Sequence, residues 1–458
     1  MTELLVGIDV GTSACKAAVV DADGRELAHG KAPTPWRQVP TGAEVDPEAL
    51  FAAAVEAARA AIAAAPEGRV RGIGVTSMAE AGVLLDGEDR VLYPAITWHD
   101  ARGADEAERI AAELGAERFT ERTGLPASPL CTLAKLRWLL DHHPPARAGR
   151  RWLNVGEWVV RRLGGDDVAE LSLSSRTGLL DLAAKAPFSD ALAWAGMPDD
   201  LLPELVLAGT PAGAADGAAL PQARGAALTV AGHDHLCAGA GVGVVAPGDV
   251  LDSCGTAEAL VRVVAPPLEP NEVRRSVAAG VTVGFHLSAG RQALLAGVWS
   301  GIALQEILDR LGLDAAGRSQ LAAGALAAAS DDVPALELEF HSLERPPLRL
   351  PDGVPPERIW RGAIDAVAAE VDSLLRAIEE VAGPHRRIVV TGGWARDEAV
   401  RASKTRLGAV EAPPVVEAGA RGAALLAGVA AGLFASVDDL PSVTAGRDSQ
   451  AAPRSAAG

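Results

Sequence analysis

Two stretches of the chain pair an aspartate with a glycine–threonine turn, a combination that suits a chain of phosphates. The first is Asp9-Val10-Gly11-Thr12-Ser13, with Lys16 seven residues after the aspartate. A tight turn of small residues leaves backbone N–H groups free to point at an anion. Lys16, on the returning strand, can reach the same phosphates. Asp9 would repel them, so it calls for a metal ion between, most simply Mg²⁺ held through water. The second stretch is Asp252-Ser253-Cys254-Gly255-Thr256, read as holding the β and γ phosphates opposite Lys16. Either copy alone is equally well an ordinary polar hairpin. Two copies of one design, about half a chain apart, favour the phosphate reading.

Other residues could hold what receives the phosphate. In Gly232-His233-Asp234-His235 the aspartate either caps the following helix or serves as a base. The flanking histidines could ligate a metal, but side chains alternate along a strand, which points neighbours apart. Ser77-Met78-Ala79-Glu80 follows an apolar strand. Strand ends of that kind are where α/β sheets place substrate residues. Glu80 there can accept hydrogen bonds from sugar hydroxyls, and a solvated loop acid is an equal reading. Trp98 offers a flat apolar face for a sugar ring or chain, with Asp100 and Arg102 adding polar contacts.

These side chains need strands that end together. Leu4 to Ile8 and Ala17 to Val20 read as a strand pair around the first turn, and Val250-Leu251 with Ala259 to Val264 around the second. Strands are also expected at Val70 to Thr76, Ala227 to Ala231 and Arg387 to Thr391. Apolar spacing predicts helices over Pro47–Ala64, Thr132–His142, Trp152–Leu163, Ile359–Val381 and Ala418–Leu433.

The chain has 458 residues, too many for one core, and two or three domains are expected. A net charge of −18 argues against nucleic acid or an anionic membrane as partner. No unbroken apolar run is long enough to span a bilayer, and the N-terminus lacks a basic-plus-apolar leader, so the protein reads as cytoplasmic. Cys15, Cys131, Cys237 and Cys254 are far apart. They indicate neither a zinc ribbon nor a disulfide scaffold, and read as small apolar fillers.

With its two turns and the segments between them, the sequence resembles the actin/hexokinase/Hsp70 ATPase superfamily and, within it, the FGGY carbohydrate kinases, over roughly residues 4 to 433. The resemblance implies two RNase-H-like α/β domains, 1–243 and 244–435, hinged near Val244 around a nucleotide cleft, with 436–458 a loose tail. It implies ATP with Mg²⁺, and transfer of the γ-phosphoryl group to a hydroxyl of a small sugar or polyol. Asp234 matches the family's proton-accepting aspartate, and His235 a second sugar contact. Trp98-x-Asp100-x-Arg102 matches a family segment, and Met78 stands where xylulose-type kinases carry Met-His. Leu294 to Leu308 is similar to the family's Gly-Ala-Ala-x-Gln helix, with Gly301 and Gln305 near the nucleotide. Gly392-Gly393-Trp394-Ala395-Arg396-Asp397 is similar to its adenosine loop. Glu80, Asp100 and Asp234 together would make an acidic pocket suited to neutral polyols and ketoses. A homodimer is compatible with this reading. The alternatives are a non-catalytic nucleotide switch and an actin- or chaperone-type ATPase.

Overall fold

The computed structural model of the protein describes residues 2–40, 42–313, 315–328, 333–340, 348–441 and 443. Strands β1 (Thr2–Val10), β2 (Ala14–Asp21), β3 (Glu26–Pro33), β4 (Gly68–Ser77) and β5 (Ala227–His233) form one sheet. Their order is β5-β4-β1-β2-β3. β1, β2 and β3 alternate in direction, whereas β4 and β5 run parallel to β1. Leu4, Leu5, Val6 and Ile8 are all buried, which is what a central strand covered on both faces requires. Helix α1 (Pro47–Ala64) covers β2 and β3. Asp46 starts it, its carboxylate accepting the Glu48 N–H, and Pro47 occupies the first turn.

The second sheet repeats the plan. Its strands are β6 (Asp249–Cys254), β7 (Glu258–Val264), β8 (Thr282–Phe285), β9 (Gln292–Val298), β10 (Arg387–Thr391) and β11 (Val410–Glu411). Their order is β8-β9-β7-β6-β10-β11. A hairpin, a third antiparallel strand and two parallel strands recur, with β8 added at the edge. Helices α2 (Thr132–His142), α3 (Asp234–Gly241), α4 (Ser300–Leu311), α5 (Pro356–Ala382), α6 (Glu398–Ser403) and α7 (Ala418–Ala430) complete what positions the site.

Three expectations are corrected. Residues 152–163 are not one helix: Arg151–Asn154 is a strand paired with Gly82–Leu85, and the helix begins at Val155. Asn154 and Glu157 form a reciprocal cap that stops helix formation further upstream. A boundary at 243/244 separates the strands but not the helices, because α7 packs on the first sheet. A Cβ at Gly7 of β1 would lie 1.8 Å from the Ala420 carbonyl oxygen, and one at Gly74 of β4 2.0 Å from that of Ala423. Only glycine lets the helix lie this close. The tail is not loose from 436 onward. Val437 is buried, and Asp438 pairs with Arg291, Oδ2 to Nη2 at 2.9 Å. Residues 442 and 444–458 lie outside the described residues. All four cysteines are buried free thiols. Among the described residues, no helix is long and apolar enough to cross a membrane.

Candidate active site

Asp9 sits near the end of β1, directly across the ladder from Lys16. Its Oδ1 is buried with no hydrogen-bond partner. Burial, then the nearby Asp234, push its carboxyl well above the usual range. Gly419, in the first turn of α7, lies so near that a Cβ would come within 2.8 Å of Asp9 Oδ2. Lys16 is not free: its Nζ pairs with Glu417 at 2.8 Å. The turn itself is held by side chains from behind. The Gly11 carbonyl accepts from the Thr34 hydroxyl (2.7 Å), and the Thr12 carbonyl from Trp36 Nε1 (2.6 Å). Ser13 is exposed at the tip. The Thr12 hydroxyl accepts from Trp98 Nε1 at 2.9 Å. Met78 is buried behind it, Sδ 3.9 Å from Oγ1.

β4 and β5 end beside this turn. Asp234 is the first residue of α3, and its Oδ1 accepts the His235 N–H (2.7 Å) and lies 3.2 Å from His233 Nε2. Burial and the charge of Glu80 raise its carboxyl, opposed by the His235 hydrogen bond and by Lys16. Because strand gives way to helix here, alternation fails, and His233, Asp234 and His235 converge to within 4.8 Å. Burial keeps both imidazoles neutral, His235 lowered to about 4. Glu80 adopts a left-handed backbone, φ +58°, and pairs with Arg176 Nε at 2.9 Å. Arg176 also donates to Thr282 Oγ1 on β8 (2.8 Å), joining the two halves.

Asp100 does not face the pocket. Its carboxylate is fully buried and accepts from Arg102 and from the Ala43 N–H. Arg102 in turn reaches Glu44. Both oxygens are committed to this internal network, so the acidic pocket loses one member. Arg176 adds a cation to it.

The second turn is packed from two directions. A Cβ at Gly301 would lie 2.0 Å from the Gly255 carbonyl oxygen, and Ile302 N donates to the Thr256 carbonyl (3.2 Å). The N-terminus of α4 therefore sits on the tip of the hairpin. Gly392, at φ +97°, fits against Cys254 in the same way, at 2.4 Å. Above Gly393 there is open space. Asp252, expected to face phosphates, is instead buried beneath the turn, 3.0 Å from Lys404 Nζ. Lys404 also pairs with Glu258, which accepts from the Ser300 hydroxyl at 2.7 Å. Two further expectations shift. Gln305 bonds along its own helix to Asp309 (2.6 Å), and Asp397 caps α6 through the Ala399 and Val400 N–H groups (2.9 and 3.1 Å).

The structure thus groups Asp9, Gly11, Thr12, Lys16, Met78, Glu80, Trp98, Asp234 and His235 at one end of the first sheet. It groups Gly255, Thr256, Gly301 and Gly392 at the facing end of the second. Asp100, Asp252 and Asp397 serve internal contacts. Arg176, Trp299, Lys404 and Glu417 escaped sequence reading. Trp299 had a usable signal, an aromatic residue immediately before the Ser300-Gly301 helix start. The other three are charges that only the tertiary structure pairs.

The N-terminal domain of the FGGY family of carbohydrate kinases matches residues 4–239. A xylulose kinase of Streptomyces rubiginosus is 31% identical over 449 residues, spanning 95% of this chain and 89% of its own length. A glycerol kinase of Bordetella parapertussis is 30% identical over 470 residues, spanning 95% and 90%. A solved gluconate kinase from Lactobacillus acidophilus shares the fold with a TM-score of 0.83 at 19% identity, covering 96% of this chain and 91% of its own. The chain belongs to the FGGY family of carbohydrate kinases. It is a two-domain α/β protein of the actin-like ATPase fold, and it phosphorylates a sugar or polyol at the expense of ATP.

Proposed function

We propose that the acceptor is a small neutral ketose or polyol, as for a xylulose kinase, and that Asp234 removes the proton from the attacking hydroxyl in a cytoplasmic enzyme. The observation that carries the reading is the neighbourhood of Asp234. It opens α3 beside Asp9, at the strand ends where Trp98, Glu80 and His235 also lie. Phosphoryl transfer has a loose transition state, so catalysis is mostly positioning and charge stabilisation. A carboxylate whose basicity burial has raised is a better proton acceptor than an ordinary one.

The partnerless Oδ1 of Asp9 fits a cation held through water. Mg²⁺ bound there would supply charge neutralisation for the phosphates. Lys16, turning from Glu417, joins Thr12, Thr256 and the backbone N–H groups at Gly11, Ser13 and Gly255 in offsetting the remaining charge. Gly301 and Gly392 let the second hairpin pack tightly, and the open face at Gly393 gives room for the nucleoside. Trp98 offers its ring to the C–H face of the acceptor, with Met78 as backing. Arg176 offsets Glu80 alone and leaves the carboxyl of Asp234 uncompensated by it, which supports a neutral acceptor over a phosphorylated one.

The test is a screen of ketoses, polyols and aldonates for acceptor-dependent ADP release, with Asp234→Asn in parallel. A neutral acceptor is expected, and the variant should bind ATP but transfer nothing. Activity confined to anionic sugars would overturn the substrate reading, and unchanged turnover in the variant would remove Asp234.

A further inference from the structure

Trp98 and Trp299 come from opposite halves of the chain, and their rings stack across the space between them. The centroids are 5.2 Å apart and the planes differ by 6°. Near-parallel indoles at this separation make an offset stack, a favoured aromatic geometry. Both rings are half-buried; Trp98 rests on the core of the first half, and Trp299 meets it from the second.

Each ring is tied to a different phosphate turn. Trp98 donates from Nε1 to Thr12 Oγ1 (2.9 Å), and its carbonyl accepts from Lys135 Nζ (2.7 Å). Trp299 immediately precedes α4, and its N–H donates to the Phe340 carbonyl (2.9 Å). Ser300 then bonds Glu258, and Gly301 lies against Gly255. A displacement of one ring relative to the other is therefore a displacement of Thr12 relative to Gly255.

We infer that Trp299 is a positioning residue for phosphoryl transfer. It is the second-half arm of an aromatic clamp that forms only when the cleft is shut, and it links the seat of the acceptor on Trp98 to the register of the two phosphate turns. This rests on the kinase reading above and deepens it. An acceptor presenting a C–H face to Trp98 shields the stack from water and favours the shut cleft. Water alone in that seat does not. The clamp thus biases ATP use towards turnover with an acceptor bound.

The test compares the wild type with Trp299→Ala, Trp299→Leu and Trp299→Phe. It measures acceptor KM, ATP KM, ATP hydrolysed per acceptor phosphorylated, and the far-ultraviolet exciton couplet that a stacked indole pair produces. For the alanine variant we expect acceptor KM to rise about tenfold, the upper end for losing an aromatic pair, with ATP KM within about twofold. Idle hydrolysis should rise about fivefold relative to transfer, because transfer loses the acceptor-shielded stack that shuts the cleft, whereas hydrolysis without an acceptor never drew on it. Phenylalanine should restore KM and coupling to within about threefold, while leucine, which keeps volume but not the ring, should not. The couplet should be absent from all three variants and from Trp98→Ala. Leucine behaving like the wild type overturns the inference, whether or not the alanine variant folds. So does an alanine variant with unchanged acceptor KM and coupling. A wild type in which no acceptor stimulates ADP release would instead refute the kinase reading itself.

Discussion

Lys404→Met should weaken the protein more at alkaline than at acid pH. Lys404 is fully buried and faces two buried carboxylates, Asp252 at 3.0 Å and Glu258. Removing one member of a buried ion pair typically costs about 3–5 kcal/mol, out of a total stability of about 5–15 kcal/mol. The expected loss lies within that range, because one carboxylate can escape by taking a proton. Glu258 is the one placed to do so. Burial and Asp252 already raise its carboxyl from 4.5 to about 7 with the lysine present, and losing the cation raises it further. A carboxyl whose folded-state pKa exceeds the unfolded value contributes stability in its protonated form. That stability is fully present below about pH 4.5 and is lost as pH climbs through the folded-state value. The deficit of Lys404→Met should therefore be small near pH 6 and approach about 4 kcal/mol near pH 8.5. Urea unfolding followed by circular dichroism at both pH values measures it, as a shift in midpoint at constant slope. Adding Glu258→Gln should recover about half of the loss at pH 8.5 and flatten the pH dependence. A loss below about 1 kcal/mol at pH 8.5, or an equal loss at both pH values, would refute the reasoning.

Gly301→Ala should raise ATP KM about tenfold or more, since its methyl would force the helix start off the Gly255 carbonyl, and acceptor KM should rise with it because Trp299 opens the same helix. Initial-rate kinetics against each substrate decides this. Asp100→Asn should cost about 3 kcal/mol in urea unfolding by breaking the buried pair with Arg102. Acceptor KM should not move, and a KM effect without a stability loss would return Asp100 to the pocket. Lys135 is buried, and that burial lowers its ammonium from 10.5 to about 8. The unfolded chain therefore binds the extra proton between those values, and stability rises with pH there. Relative to Lys135→Met, the wild type should gain up to about 3 kcal/mol between pH 7.5 and 10.5, read from urea midpoints.

Much of the scaffold was legible because its signals are local. The α1 boundaries follow from Asp46, Pro47 and an apolar stripe, and the two hairpins from apolar runs flanking glycine turns. Which acids face the cleft was not legible. Asp100, Asp252 and Asp397 look like Asp9 and Asp234 in sequence, yet the first two are claimed by Arg102 and Lys404 and the third by a helix cap. Such partners lie on other segments, and spacing along the chain carries no record of them. The convergence of His233 and His235 was missed for a different reason. A period-two argument was applied across a position where the backbone changes from strand to helix.

The seat of α7 on the first sheet has a consequence for biosynthesis. The glycine-lined groove over Gly7, Gly72 and Gly74 is filled by Ala420, Ala423, Ala424 and Ala427, which leave the ribosome long after β1. Until then the earliest strands carry one uncovered surface, and the N-terminal half cannot mature as a unit in its own right. Nascent chains arrested before residue 418 should accordingly lean on chaperones and fall readily to proteases.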